Sequence, residues 1–235
     1  MTSVVTIETA KRQNPSWTEP WVGAFFDVDN TLVPGFSMEI WFVRHLVRLG
    51  VIGVRELSRS FWFLLQRIPP LSLAPLRSHK LYLFGQDPDV IESIARTFVL
   101  AHARHKISAR AEAQLERHRR AGHRIALISG SPEFLVKPLA ELLNVSLVYA
   151  ARLETNDRGY TGRVFAPLPY GHGKRLLVER LAKRYRLDLT RSYAYGDSPG
   201  DLQALQAVGY PHVVNPIRGM ARIARKRGWP ITQWA

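Results

Sequence analysis

The chain has 235 residues, 46% of them hydrophobic and 22% charged, which is the balance of a folded globular protein and excludes a fibrous or disordered one. It has no cysteine, which excludes a disulfide framework, a cysteine nucleophile and a thiolate metal site. Its 33 Lys and Arg against 19 Asp and Glu give a formal net charge of +14, which favours anionic partners: phosphorylated metabolites, nucleic acid or acidic lipid surfaces.

Residues 1–20 read as a flexible leader, polar and interrupted by Pro15 and Pro20, without the apolar core of a signal peptide. The longest apolar cluster, Phe61-Trp62-Phe63-Leu64-Leu65, falls far short of the ~20 residues a membrane helix needs. A soluble, cytoplasmic protein is therefore expected. A first strand is predicted over Val22 to Asp27, where an apolar run drives into two carboxylates, Asp27 and Asp29. After Pro34-Gly35 the pattern turns helical. Met38, Trp41, Phe42, Leu46 and Leu49 form one stripe; Val54, Leu57, Phe61, Leu64, Leu65 and Ile68 form a second. A third helix is predicted from Leu76 to Phe84 and a fourth from Asp89 to His105. The spacing of the cap aromatics Trp41, Phe42, Phe61, Trp62 and Phe63 places most of them in a helical core.

From Ser108 the pattern alternates. Helices are predicted at Ser108–Arg120, after Pro132, from Gly173, and near Asp201. Strands are predicted at His123–Ile128, Val145–Ala150, Ser192–Tyr195 and His212–Val214, with a hairpin over 152–166. Strands alternating with helices define an α/β fold with a doubly wound parallel sheet. The organisation expected is a leader at 1–20, an α/β core from 21–35 and 106–235, and an inserted helical cap at 36–105.

Ligands of open α/β sheets bind outside the carboxyl ends of the strands. Four pieces fall at such ends or at helix starts: Asp27, Asp29 and Thr31; Ser129 and Gly130 before Ser131; Lys174; and Asp197 with Asp201. The carboxylates are hard oxygen donors, and with no cysteine or paired histidine among them magnesium fits better than zinc. Ser129 offers a hydroxyl, the amides after it open a helix that can hold an anion, and Lys174 adds a point charge. This is an inventory for phosphoryl transfer: a carboxylate nucleophile, an acid for the leaving oxygen, and positive charge around the equatorial oxygens.

In that order the four pieces resemble the motifs of the haloacid-dehalogenase superfamily, and specifically its phosphoserine-phosphatase-like branch. Asp-x-Asp-x-Thr stands at Asp27, Asp29 and Thr31, the strand-terminal serine at Ser129, the lysine at Lys174, and Gly-Asp-x-x-x-Asp at Gly196, Asp197 and Asp201. The resemblance covers residues 22–216 and places a small helical cap at 36–105. It implies a Mg2+-dependent phosphatase with Asp27 as nucleophile and metal ligand. Asp29 would be the general acid/base and bind the metal through its backbone carbonyl, and Asp197 would be the third ligand. Ser129, Gly130 and Lys174 would hold the phosphate; Asp201 would support the metal's water shell or hold Lys174. Two departures point away from phosphoserine. Phe36 stands near the place of a glutamate that in that branch holds the substrate's amino group, with Glu39 close enough to substitute, and Gly200 replaces an asparagine.

The reading is thus a hydrolase of a small phosphomonoester, with no nucleic-acid partner expected. A phosphotransferase using the same aspartyl-phosphate is the alternative within catalysis. A non-catalytic or moonlighting binder of nucleic acid or acidic lipid, driven by the +14 charge, is the alternative outside it.

Overall fold

The protein is described from a computed structural model, which covers residues 19–35, 37–56, 58, 61–62 and 78–235. Most of the leader, Phe36, and Leu57, Phe63, Leu64, Leu65, Ile68 and Leu76 of the predicted cap helices lie outside the described residues. Among the described residues no helix is long and apolar enough to cross a membrane.

The strands of the main sheet are β1 (Gly23–Phe26), β2 (Arg124–Pro132), β3 (Leu147–Ala151), β6 (Tyr193–Gly196), β7 (Tyr210–Val214) and β8 (Ile231–Thr232). They run in the order β3-β2-β1-β6-β7-β8, every pair parallel. The chain winds outward from β1 through β2 to β3, then returns to the other side of β1. The switch point therefore lies between β1 and β6, the place where such sheets open a crevice. Strand β1 is buried on both faces: Ala24 and Phe26 enter one core, Phe25 the other. This explains its unbroken apolar run. Phe26 stacks on Tyr195 of β6 at 4.4 Å.

Helices α3 (Ala109–Arg120) and α4 (Glu133–Leu142) contribute Ala111, Leu115, Leu135 and Leu139 to the core of the Phe26 face. Helices α5 (His172–Tyr185), α6 (Leu202–Leu205) and α7 (Met220–Arg227) do the same on the Phe25 face, through Leu177, Leu205 and Met220. A separate hairpin, β4 (Leu153–Asn156) and β5 (Gly159–Val164), follows β3. The two-residue β8 was not predicted, because two residues carry no period.

Within 36–105, helix α1 (Met38–Arg48) buries Met38, Phe42 and Leu46 as its stripe predicts, while Leu49 at its end is exposed. Helix α2 (Pro88–Phe98) is capped by the Asp87 carboxylate, which accepts the Asp89 amide at 2.8 Å, and Pro88 opens the first turn. Past Phe98 the predicted helix loosens into a wide turn at Val99–Ala103 and a tight one at Arg104–Lys106. Phe42 meets Phe98 and Phe134 at 5.5 and 5.6 Å, so α1 and α2 share one core with α4. Phe61 and Trp62, expected to be largely cap core, are each 62% exposed.

The helix expected at Leu76 to Phe84 is corrected from His79 onward; Ser78 is helical. His79 bridges Arg163 of β5, the Lys80 amide donates to Gly162 O at 2.6 Å, and only Leu81–Leu83 makes a short 3-10 turn. Gly162 permits the close approach: a Cβ there would fall 3.2 Å from Leu81 Cα, and one on Gly159 would fall 2.3 Å from Gln86 O just past the segment. Long-range backbone bonds to β5 outcompete a local helix.

His118 of α3 is buried, with Nε2 2.7 Å from the Tyr195 hydroxyl and Nδ1 2.8 Å from Nδ1 of His123. Two ring nitrogens so close share one proton. Burial first, then His123, Arg117 and His212, hold the His118 pKa down to about 4, and burial lowers His123 and His212 too. A folded-state pKa below the ordinary value of ~6.5 contributes stability that is present above that value and is lost as pH falls toward 4. Unfolding by urea at pH 7 and pH 5 is expected to show a loss on the order of 1–3 kcal/mol, flattened by His118→Gln. Equal pH dependence in the two proteins would count against this assignment.

Candidate active site

Three adjacent strand ends build the site. Beyond β1 the Asp27 amide extends the ladder by donating to Tyr195 O at 2.9 Å, which sets Asp27 at the sheet's carboxyl edge. Beyond β6 comes Asp197, and the last residues of β2 are Ser129 to Pro132. Asp27, Asp197 and Asp201 each offer a carboxylate oxygen within 4.8 Å of the others. All three are buried, as is Lys174. The Lys174 Nζ lies 2.5 Å from Asp27 Oδ1 and 2.5 Å from Asp201 Oδ1.

Close-packed glycines bring these groups together. Helix α5 begins after Gly171, whose φ is +53°, and whose amide donates to Gly200 O at 2.8 Å. A Cβ on Gly173 would fall 1.7 Å from Leu168 O, so only glycine lets the turn close and carry Lys174 to Asp27. A Cβ on Gly200 would lie 2.4 Å from the Tyr170 ring. Tyr170 thus fills the space that any larger residue at 200 would need, which gives the departure at Gly200 a physical reason.

Three carboxylates face one ammonium, so full ionisation would leave the buried cluster two charges negative. Burial, and then the neighbouring acids, push the Asp27 carboxyl well above its ordinary pKa despite Lys174. Burial and Asp201 likewise raise Asp197 to about 7. Burial would lower Lys174, but Asp201 and Asp27 outweigh it and hold the ammonium protonated. The same crowding makes it costly to ionise all three acids together. A divalent cation carries the charge that balances this set, and three hard oxygen donors fit magnesium.

Asp201 is more than a helix cap. Its Oδ2 accepts from the Ser198 amide at 3.1 Å and hydroxyl at 2.9 Å and from the Asp197 amide at 3.3 Å, while Oδ1 takes Lys174. Thr31 donates to Asp27 Oδ2 at 3.3 Å. The Asp29 carboxylate stands outside the three-acid cluster. Its Oδ1 accepts the Met38 amide at 2.6 Å, which makes it the partner of the first amide of α1; its Oδ2 accepts the Ser131 hydroxyl at 2.6 Å. Ser129 is fully buried, 3.5 Å from Asp29 Oδ2, and its oxygen accepts the Ser131 amide at 3.1 Å. Gly130, between them, is exposed.

Glu39 is engaged rather than open. Its Oε2 pairs with the buried Lys80 Nζ at 2.5 Å and its Oε1 accepts the Tyr82 hydroxyl at 3.0 Å. Phe36 lies outside the described residues. His172 meets Gln203 of α6 at 3.2 Å. The side chains that the sequence did not flag are those of Asn30, Ser198 and Asn215, and the Ser131 hydroxyl, since only the Ser131 amide was in view. Ser131 and Ser198 sit within motifs already singled out, and Asn30 occupies a variable place in the first one.

Residues 24–206 match the family model for haloacid dehalogenase-like hydrolases. The chain is 32% identical over 230 residues to a probable phosphatase of Mycobacterium tuberculosis, covering 95% of this chain and 79% of that one. It is 30% identical over 214 residues to a phosphoserine phosphatase of the same organism, covering 88% and 69%. A crystal structure of a Bordetella pertussis Tohama I protein of unknown function superposes with a TM-score of 0.78 at 26% identity, covering 92% and 100%. The chain therefore belongs to the haloacid dehalogenase-like hydrolase family. Within that family it is a phosphatase of the phosphoserine-phosphatase-like kind.

Replacing Lys174 by Met removes the only cation that faces both Asp27 and Asp201 among the described residues. In chelator at pH 7 the variant is expected to lose about 3–5 kcal/mol of stability, the cost of breaking a buried pair. Thermal unfolding unchanged from wild type would show that the cluster is not ionised as described.

Proposed function

We propose that the protein is a magnesium-dependent phosphatase that hydrolyses a small phosphomonoester through an aspartyl-phosphate on Asp27. One observation carries this reading: Asp27, Asp197, Asp201 and Lys174 converge in one buried cluster at the switch point of the sheet. Asp27 and Asp197, with the backbone carbonyl of Asp29, would hold the ion. When bound, it would neutralise the phosphoryl oxygens and lower the barrier to anionic attack on an anionic ester.

The chain's own residues then divide the work. Ser129, the Gly130 amide and Lys174 bind the phosphoryl oxygens. An Asp27 oxygen attacks phosphorus, the ester P–O bond breaks, and Asp29 gives its proton to the leaving alkoxide. Water then attacks the phosphorus of the aspartyl-phosphate, Asp29 takes its proton, and inorganic phosphate and free Asp27 result. The Ser131 hydroxyl and Met38 amide orient Asp29 for both transfers. Segment 36–105 would act as the cap. The Met38 amide binds Asp29 directly, so closure of α1 over substrate would be felt at the acid/base.

The substrate side of the site argues against an ammonium-bearing ester. Both Glu39 oxygens are already bound, one by a buried lysine. A substrate amine would have to displace Lys80.

Asp27→Asn is expected to lower phosphate release by at least about a thousand-fold while leaving the fold intact, since no nucleophile remains. The assay is magnesium-dependent phosphate release from a panel of phosphomonoesters, with circular dichroism as the fold control; near-normal turnover in the variant would refute the mechanism. In the same panel the wild type should favour esters without an amine, and Lys80→Met, which frees Glu39, should shift the ratio of kcat/KM toward O-phosphoserine by roughly tenfold, about 1.4 kcal/mol. A wild type that already prefers amines, with Lys80→Met without effect, would overturn the substrate argument.

A further inference from the structure

We infer that Asn30 is a positioning residue that fixes the Asp197 carboxylate for the cation and ties it to the turn leading into the helical segment, with Asn215 as its anchor. The inference rests on the magnesium-dependent reading above and names residues that the family motifs do not.

Asn30 is a hub. Its Nδ2 donates to Asp197 Oδ2 at 2.9 Å and to Asn215 O at 2.9 Å, and its Oδ1 accepts the Gly35 amide at 3.1 Å. One side chain therefore joins the exit turn of β1, the turn after β6 and the loop after β7. Asn215 closes the link from the other side. Its Nδ2 donates to Asn30 O at 2.8 Å, and its Oδ1 accepts the Trp234 and Ala235 amides at 2.7 and 3.2 Å. The loop is bound to the third acid a second time, through the Ile217 amide and Asp197 O at 2.9 Å.

Both asparagines sit at backbone positions that glycine could also occupy. Asn30 has φ +56° and Asn215 φ +43°, in the left-handed region where a side chain is strained and where asparagine is tolerated because it hydrogen-bonds locally. Glycine would suit both dihedrals without strain. What asparagine adds is the amide, whose two ends serve opposite partners: an acceptor for a backbone N–H and a donor for a carboxylate. A donor on Oδ2 sets the plane of the Asp197 carboxylate. Ionised Asp197 is favoured by the same bond, against the burial that opposes it.

Because glycine fits both dihedrals, Asn30→Gly and Asn215→Gly remove the side chains without imposing backbone strain. Magnesium binding to wild type and both variants is measured by titration calorimetry without substrate, alongside melting temperature in chelator and the magnesium dependence of phosphate release. Asn30→Gly is expected to weaken magnesium binding at least tenfold and to raise the half-activating concentration equally, with substrate KM at saturating magnesium within twofold of wild type. Asn215→Gly should weaken binding less, because Asn215 O still accepts from Asn30. Equal magnesium affinity in Asn30→Gly and wild type overturns the inference and leaves the phosphatase reading intact. A lowered melting temperature with unchanged affinity assigns Asn30 a structural role only and also overturns it. A wild type that neither binds magnesium nor releases phosphate overturns both.

Discussion

Three carboxylates buried around one lysine are the constraint on which the site depends. Taken alone, such a cluster is unfavourable: desolvating each carboxylate costs several kcal/mol and one ammonium cannot offset three. It persists because each acid is also bound elsewhere. Asp201 closes the 197–201 turn on its own amides and hydroxyl, Thr31 reaches Asp27, and Asn30 reaches Asp197. The surrounding turns pay in conformational freedom. Gly173, Gly196 and Gly200 stand where a Cβ would meet Leu168 O, Asp201 and the Tyr170 ring at 1.7, 2.4 and 2.4 Å. Packing this tight fixes the relative positions of the acids and the lysine, and leaves an excess of carboxylates over cations as the one unbalanced quantity.

The acids are not equivalent, and their hydrogen bonds sort them. Asp201 spends both oxygens on the protein and supports Lys174. Asp29 stands outside the three-acid cluster and is bound by Ser131 and the first amide of α1. A helix start whose orphan amide is satisfied by an acid of the site couples two regions through one bond. Helices α1 and α2 share their apolar core with α4. Any movement of α1 must therefore work against both Phe42 packing and the Asp29 contact.

Much of this was legible in the sequence because it is local. Apolar runs that stop at Asp27 and Gly196-Asp197 mark strand ends, the run that stops at Ser129 marks where β2 shifts register before its end at Pro132, and the stripe of Met38, Phe42 and Leu46 marks a buried helix face. What was not legible depends on distant partners. The segment before Phe84 has apolar residues at helical spacing, yet hydrogen bonds to β5 decide its form. Phe61 and Trp62 fit a core stripe and stand exposed. Asn30 and Asn215 are 185 residues apart, and no pattern announces that two asparagines share a pair of backbone bonds. Glu39 looked available for substrate until Lys80 and Tyr82 occupied both its oxygens.

The chain's overall charge and its local charge have opposite signs, and the two act at different ranges. A net +14 on the whole chain draws phosphate esters toward the protein. Within the pocket, the two carboxylates in excess of Lys174, once ionised, repel a phosphate dianion at the distance where attack must occur. A bound divalent cation would cancel that local charge. Cation and phosphate would then each favour the other's binding by the same free energy, as linkage requires. Long-range attraction alone would concentrate anions at the surface without admitting them. Admission at the Asp27 end of the sheet is set by the charge count of Asp27, Asp197, Asp201 and Lys174.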